Sequence, residues 1–422
     1  MFRKDQVQPK ASYLGGRSDL GRRPRGYLAI CLERLKSIDT IDYIMLFGML
    51  LLPFQVLQVS VLQPGHIWML GALVALMLQR KIVISTTEVL VYLVCISAAC
   101  AITLLQDVDR IKTGEQLLKF LLVYPGFYVV GRWLGSRYSS RELPFGYVFL
   151  LAFLSFELLV QTFQVPVIYR EIDFGQGSLH GTFKERNWLS FYFFLASYFL
   201  LMQKRGELRF IPFFLLNGVV TILTANKTAI VACGVVFLIR SRVPVFIKAA
   251  AVAAGAILYV TALGDQLTED QLAVKLEEER GLAFQVSAEL IAQNPVGYGF
   301  GFVESYFSNN SLIVKGLGEG TNSVFAVPLD MAIIAGIFGF VFWLVFFCGV
   351  GLGTQTILTL LPIALLSLLN PLHQSEMFYF FIACFVSLCL KSQKLGRLSA
   401  RMKKFGRSTE HERTGFKRRR FV

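Results

Sequence analysis

Several groups of residues in this 422-residue sequence could do chemistry on an anionic or proton-bearing substrate. Segment 166–186 carries Arg170, His180, Lys184 and Arg186 and runs directly into Asn187. Asparagine is a good helix N-cap, and the free N–H groups of a helix N-terminus attract phosphate, so Lys184, Arg186 and Asn187 could hold a phosphorylated ligand. The plainer reading is a capped helix with basic anchors. Asn226 and Lys227 stand at the tip of two short apolar runs. Arg280 falls on the apolar stripe Leu276, Ala283, Leu290 of an amphipathic segment, 268–294. An arginine there needs an anion, which either Glu277–Glu279 or a ligand phosphate supplies. Its planar fork suits a diphosphate.

Downstream, Asn294-Pro-Val-Gly-Tyr-Gly-Phe-Gly301 forms a glycine-rich loop around Tyr298. By itself that pattern is weak evidence for phosphate binding. A second cluster, Gly316, Gly318 and Gly320, flanks Glu319 and leads to Thr321-Asn322. Glu304 and Glu319 read as ordinary loop acids. Asp330 lies inside the next apolar run, where a carboxylate is a functional candidate, or else a charge partner for Lys227 or Arg280. His373, in the turn Asn370–Glu376, could exchange a proton near neutral pH or simply belong to a helix-capping turn.

The elements that must position these residues are membrane helices. Hydrophobic residues make up 55% of the chain and charged residues 17%, against roughly 25% charged in soluble domains. Apolar runs recur from Ile41 to Leu390, too many for one buried core. A soluble enzyme, a disulfide scaffold and a disordered chain are excluded, which leaves an all-α polytopic integral membrane protein. The expected spans are 41–62, 64–79, 86–105, 115–134, 144–165, 187–202, 210–224, 227–239, 243–263, 323–350, 356–370 and 377–390, about twelve in all.

The net charge of +14 sits in the tails. Residues 1–36 hold nine Lys/Arg and three acids, and 391–422 hold twelve and two, so the body between them is slightly acidic. The tails therefore read as topology signals, with no nucleic-acid groove. With the N-terminal segment 1–40 in the cytoplasm, alternation puts 32 of 42 Lys/Arg on or near the inner side, Arg132 and Arg240 among them. The tail 391–422 is then also inside. Helices 1–9 occupy 41–263 with an outer loop at 166–186, a large outer loop spans 264–322, and helices 10–12 occupy 323–390. That large loop has nine acids and three bases. Long extramembrane segments usually carry function, so the working face is the outer one.

The runs 210–224 and 227–239 leave thirty residues for two crossings. Fifteen helical residues rise ~22 Å against a hydrocarbon core of ~30 Å. The tip bearing Lys227 is therefore expected below the outer surface, either facing a wet cavity or snorkelling to the interface.

The order of these motifs resembles the O-antigen polymerase and ligase family of bacterial envelope glycosyltransferases. The likeness covers about residues 180–340. It rests on Gly181-Thr-Phe-Lys-Glu-Arg-Asn187, Leu223-Thr-Ala-Asn-Lys-Thr-Ala229, Arg280 with Asn294-Pro-Val-Gly-Tyr-Gly299, and Thr321-Asn322 followed by Gly336-Ile-Phe-Gly339. Lys227 stands where the family tends to have arginine. Thr321 stands where ligases tend to have histidine, which favours a polymerase.

The resemblance implies a GT-C-like membrane fold in the bacterial inner membrane with a periplasmic active site. It implies an undecaprenyl-diphosphate-linked oligosaccharide as substrate, surrounding membrane lipid, and a chain-length regulator protein as partner. The reaction it implies is an inverting transfer of a growing glycan onto the next lipid-linked repeat. No cofactor is expected, and no His/Asp cluster with metal-ligand spacing suggests a metal. Arg280, Lys227 and Arg186 are the candidates for balancing diphosphate charge, with Lys184, Arg170, Asn187, Asn226, Asn322 and Tyr298 as further substrate contacts. Asp330, Glu319 and His373 are candidates for the base. The rivals are a ligase on the same scaffold, a transporter or flippase, and a non-catalytic assembly protein.

Overall fold

A computed structural model describes residues 40–57, 63–106, 109–138, 146–171, 178–203, 207–250, 253, 279–309 and 324–393. Every regular element among them is helical. In chain order these are α1 (Thr40–Leu51), α2 (Pro64–Leu78), α3 (Thr86–Leu104), α4 (Arg110–Leu118), α5 (Tyr124–Tyr138), α6 (Gly146–Thr162), α7 (Arg186–Gln203), α8 (Phe210–Thr224) and α9 (Lys227–Arg240). They continue as α10 (Glu279–Gln293), α11 (Phe302–Asn309), α12 (Val327–Phe346), α13 (Thr354–Ser367) and α14 (Glu376–Gln393). A π-helical turn, Lys119–Val123, joins α4 to α5.

Four stretches are long and apolar enough to cross a membrane: α3, the continuous helix 110–138, α12 and α14. Helices α2, α6, α8 and α13 are shorter and apolar. The exposed surface of these helices carries Ile67, Leu90, Leu104, Leu151 and Ile222. In water such a surface would aggregate; in lipid it is the matched face. A helical membrane protein follows.

Some boundaries depart from the sequence reading. The first expected span, 41–62, stops as a helix at Leu51, just before Pro53, whose ring disfavours helix in the residue ahead of it. The expected span 115–134 starts at Arg110 and runs to Tyr138. Most of 243–263, and 310–323, lie outside the described residues.

Two helices form the centre. Residues 189–201 of α7 and 376–389 of α14 are buried on every side. Both are rich in aromatic residues all round rather than along one stripe, which is the pattern of a helix enclosed by others. Helix α5 docks on α14 through Gly131 and Gly135, where a Cβ would collide with the carbonyls of Phe380 and Cys384. This small-xxx-small contact brings the two backbones together.

Arg132, between those glycines, is not an inner-loop charge as its sequence position suggested. It is buried, 3.1 Å from Glu88 of α3, and donates to Ser387 of α14 at 2.7 Å. Tyr128 donates to the same carboxylate at 2.6 Å. Arg240 likewise ends α9 and donates to the Thr359 hydroxyl of α13. Two arginines counted as topology signals therefore hold helices together.

Candidate functional site

The scaffold of the site is a broken helix. Within α12, Ala335 (φ −141°, ψ 25°) and Gly336 (φ 51°, ψ −128°) leave the helical region. A break releases carbonyls that water cannot satisfy inside a membrane. The glycine loop supplies the missing donors. Tyr298 N–H donates to Ile333 O at 2.7 Å and Gly299 N–H to Ile334 O at 2.9 Å. Such closeness excludes side chains: a Cβ on Gly297 would stand 2.7 Å from Ile334 O, and one on Gly336 would overlap the Pro295 and Val296 carbonyls. The next two amides bond to Thr103 Oγ1 and Gln116 Oε1, both at 2.8 Å.

The Gly-x-Gly-x-Gly amides are thus spent on protein partners rather than on phosphate. Tyr298 donates its hydroxyl to Leu290 O at 3.1 Å and stacks on Phe302 at 4.1 Å. Leu290 lies with Ala283 and Ser287 on the buried face of α10.

The break frames a group of buried ionisable side chains. Asp330, in the first turn of α12, accepts from Val324 N–H at 2.9 Å, and its other oxygen is 3.5 Å from His373 Nε2. His373 sits on a short 3-10 turn, Leu372–Gln374. Three residues on, Glu376 opens α14 and lies 3.0 Å from His66 Nε2 at the start of α2. His66 Nδ1 in turn accepts from Gln63 N–H. Two histidine–carboxylate pairs therefore flank one turn.

Lys119 reaches the same group through its charge. Its π-turn shifts the hydrogen-bond register, so Tyr124 N–H reaches back to Lys119 O and the Phe120 carbonyl is taken by the Tyr92 hydroxyl. Such single π-turns recur at functional sites. The charge of Lys119 acts on His373, Glu304, Glu376 and Lys184. Glu304 of α11 is buried, so it is not the ordinary loop acid its sequence context suggested. Burial raises its proton affinity, opposed by Gln116 beside it and by Lys119 and Lys112.

Burial, with the nearby Lys119 charge, pushes His373 down to about 3, so the imidazole is neutral at physiological pH. The unfolded chain binds that proton at about 6.5. The stability His373 contributes is therefore complete above about pH 6.5 and is lost as pH falls toward 3. In detergent, the melting temperature is expected to drop between pH 7 and pH 4.5. His373→Gln, which cannot take up the proton, should lose part of that drop. An identical acid response in both proteins would contradict the buried neutral histidine.

The loop 178–185 is pinned from below. Glu157 of α6 accepts from Thr182 N–H at 2.6 Å and from its hydroxyl at 2.7 Å, and Gln161 accepts from the His180 and Gly181 amides. Gly181, at φ 56°, faces Glu157 with no room for a Cβ. His180 is buried, with Nδ1 3.3 Å from Phe183 O and its ring stacked on Tyr169. This loop carries the exposed Lys184. The protein around Lys184 lowers its proton affinity, Glu376 opposes that, and Lys119 and Arg170 reinforce it.

The sequence candidates thus separate into groups. Asp330 and His373 come together, and Lys184 and Arg170 share a field with Lys119. Arg186 opens α7 and lies 3.5 Å from the Ser178 hydroxyl. Asn187 falls inside the first turn of α7 rather than at its cap, because the helix starts one residue earlier than expected. Asn226 caps α9, accepting from Thr228 N–H at 3.1 Å, after the left-handed Ala225. Lys227 is the exposed first residue of α9. Arg280 lies in the first turn of α10, its side chain outside the description. Glu319 and Asn322 lie outside the described residues.

Sequence reading missed Lys119, Glu376 and His66. The signal for Lys119 was present, since it is an ionisable residue inside an apolar run, as Asp330 is. No family model, curated protein or solved structure matches the chain.

Proposed function

We propose that this protein is a polysaccharide polymerase of the bacterial inner membrane. It moves a growing glycan from undecaprenyl diphosphate to the terminal sugar of the next lipid-linked repeat at the periplasmic face. The observation that carries this reading is the buried His373–Asp330 pair beside a broken membrane helix. The motif order from Gly181 to Gly339 supports it.

The chemistry asks little of the protein. Lipid diphosphate leaves readily once its charge is balanced, and Arg280, Arg186 and Lys227 remain the cations proposed for that from the sequence. The acceptor hydroxyl needs a base. His373 presents Nε2 to Asp330, which orients the ring and stabilises the imidazolium that forms, leaving Nδ1 to take the proton. The sugar C1–oxygen bond to diphosphate breaks as the acceptor oxygen bonds to C1, and the electron pair leaves with the diphosphate.

Purified protein given a lipid-linked oligosaccharide repeat is expected to yield a ladder of longer lipid-linked glycans with release of the lipid diphosphate. A single transfer to a different acceptor molecule would indicate the ligase instead. No glycan movement would overturn both. The proposed topology has its own check: reporter fusions after Ser139 and after Glu269 should give opposite signals, cytoplasmic and periplasmic. Matching signals would remove the outer-face site.

A further inference from the structure

We infer that Lys119, carried on the π-turn, is the anchor of an oxyanion-binding site of phosphate class, completed by the hydroxyls of Ser375 and Tyr379. The inference rests on the proposed glycosyl transfer only for the identity of the ligand. The site stands on its own observations.

The first is the state of Lys119. It is half-buried and makes no ion pair or hydrogen bond among the described residues, although Glu376 and Glu304 feel its charge. Glu376 is already engaged by His66, and Glu304 by Gln116. A half-buried ammonium without a direct protein partner is a place where a ligand can supply the anion. The π-turn Lys119–Val123 is itself a departure from regular helix that begins at this residue, with the Phe120 carbonyl taken by the Tyr92 hydroxyl.

The second observation is independent. His373 Nδ1, Ser375 Oγ and Tyr379 Oη are buried and lack any hydrogen-bond partner, and each residue is at most 3% exposed. They lie within seven residues, on the turn between the two histidine–carboxylate pairs and in the first turn of α14. Tyr379 stacks on Tyr124, one turn beyond Lys119, at 4.2 Å. Orphaned polar atoms at this depth are expensive, and such groups in native proteins point to an unseen ligand or water. Two orphaned hydroxyls flanking Glu376, on which the Lys119 charge acts as it does on His373, with Lys184 and Arg170 contributing to the field from the adjoining loop, fit an oxyanion better than a neutral sugar.

A consequence follows for the base. The Lys119 charge helps hold His373 neutral. An anion seated on Lys119 cancels that charge and raises the proton affinity of the imidazole. Binding of the leaving group would then strengthen the base that activates the acceptor.

The test is a binding measurement without turnover, using inorganic diphosphate and, separately, farnesyl diphosphate on the full-length protein in detergent. Both are expected to bind wild type. Lys119→Met should weaken each by about tenfold or more, and Ser375→Ala or Tyr379→Phe by several-fold, as hydrogen bonds to a charged group predict. Lys119→Arg should retain binding, and Lys81→Met, at an exposed lysine just after α2 that belongs to no candidate site, should bind as wild type. Tighter binding of the farnesyl compound identifies a lipid headgroup as the source; equal binding identifies free diphosphate.

Unchanged diphosphate binding in Lys119→Met overturns the inference and leaves the chain-extension assay standing. Should that variant fail to fold, unchanged binding in both Ser375→Ala and Tyr379→Phe does the same. Diphosphate binding that depends on Lys119, in a protein that extends no glycan, keeps the site and removes the polymerase.

Discussion

His373→Ala is expected to lower glycan extension by about 10²-fold or more while leaving folded protein in the membrane, the range typical of a lost general base. The geometry makes the expectation specific. Nε2 is committed to Asp330 at 3.5 Å, and Nδ1 is buried without a partner. Asp330→Asn keeps the shape but removes the charge that stabilises imidazolium, so it should lower the rate strongly with little change in apparent substrate affinity. Asp330 also receives Val324 N–H, and an asparagine carbonyl can still accept that bond, which limits structural damage. Extension at wild-type rate in His373→Ala, with normal protein levels, would falsify the base assignment.

Gly297→Val and Gly336→Leu should each remove folded protein rather than activity alone, destabilising by about 3–5 kcal/mol. Both positions have positive φ, 109° and 51°. In each, the new side chain would push apart the glycine loop and the break in α12, stranding the Ile333 and Ile334 carbonyls. Gly218→Ala is the matched control: it lies in α8 with nothing within 4 Å of the added methyl, so stability should hold or rise slightly. Expression level and gel-filtration profile in detergent separate the outcomes. A monodisperse Gly297→Val protein at wild-type level would show that the loop is not what closes the broken helix.

The sequence by itself determined the class of the protein, because lipid imposes a blunt rule. Every backbone polar group must be satisfied within the protein, and an apolar run of about twenty residues does so as a helix, since barrel strands are shorter and alternate. That made the helices around Thr86–Leu104, Phe210–Thr224, Lys227–Arg240 and Val327–Phe346 legible from composition alone. The same rule singled out Asp330, since a carboxylate in an apolar run needs a partner. His373 was legible as a candidate because an imidazole can exchange a proton near neutral pH, although a helix-capping turn was the other reading.

Tertiary structure decided which partners those residues have. Asp330 and His373 are 43 positions apart, and His66 and Glu376 are 310 apart, so no spacing rule could pair them. The glycine loop looked like a phosphate cradle because glycines permit close approach by anything. Only the break at Ala335–Gly336 showed that the approaching group is another stretch of backbone. Arg132 looked like a topology signal because a charge count cannot tell a loop cation from one buried against Glu88. Lys119 lies inside the expected span 115–134. A single extra residue in a helical turn, invisible in hydropathy, leaves it half-buried among the residues of the site.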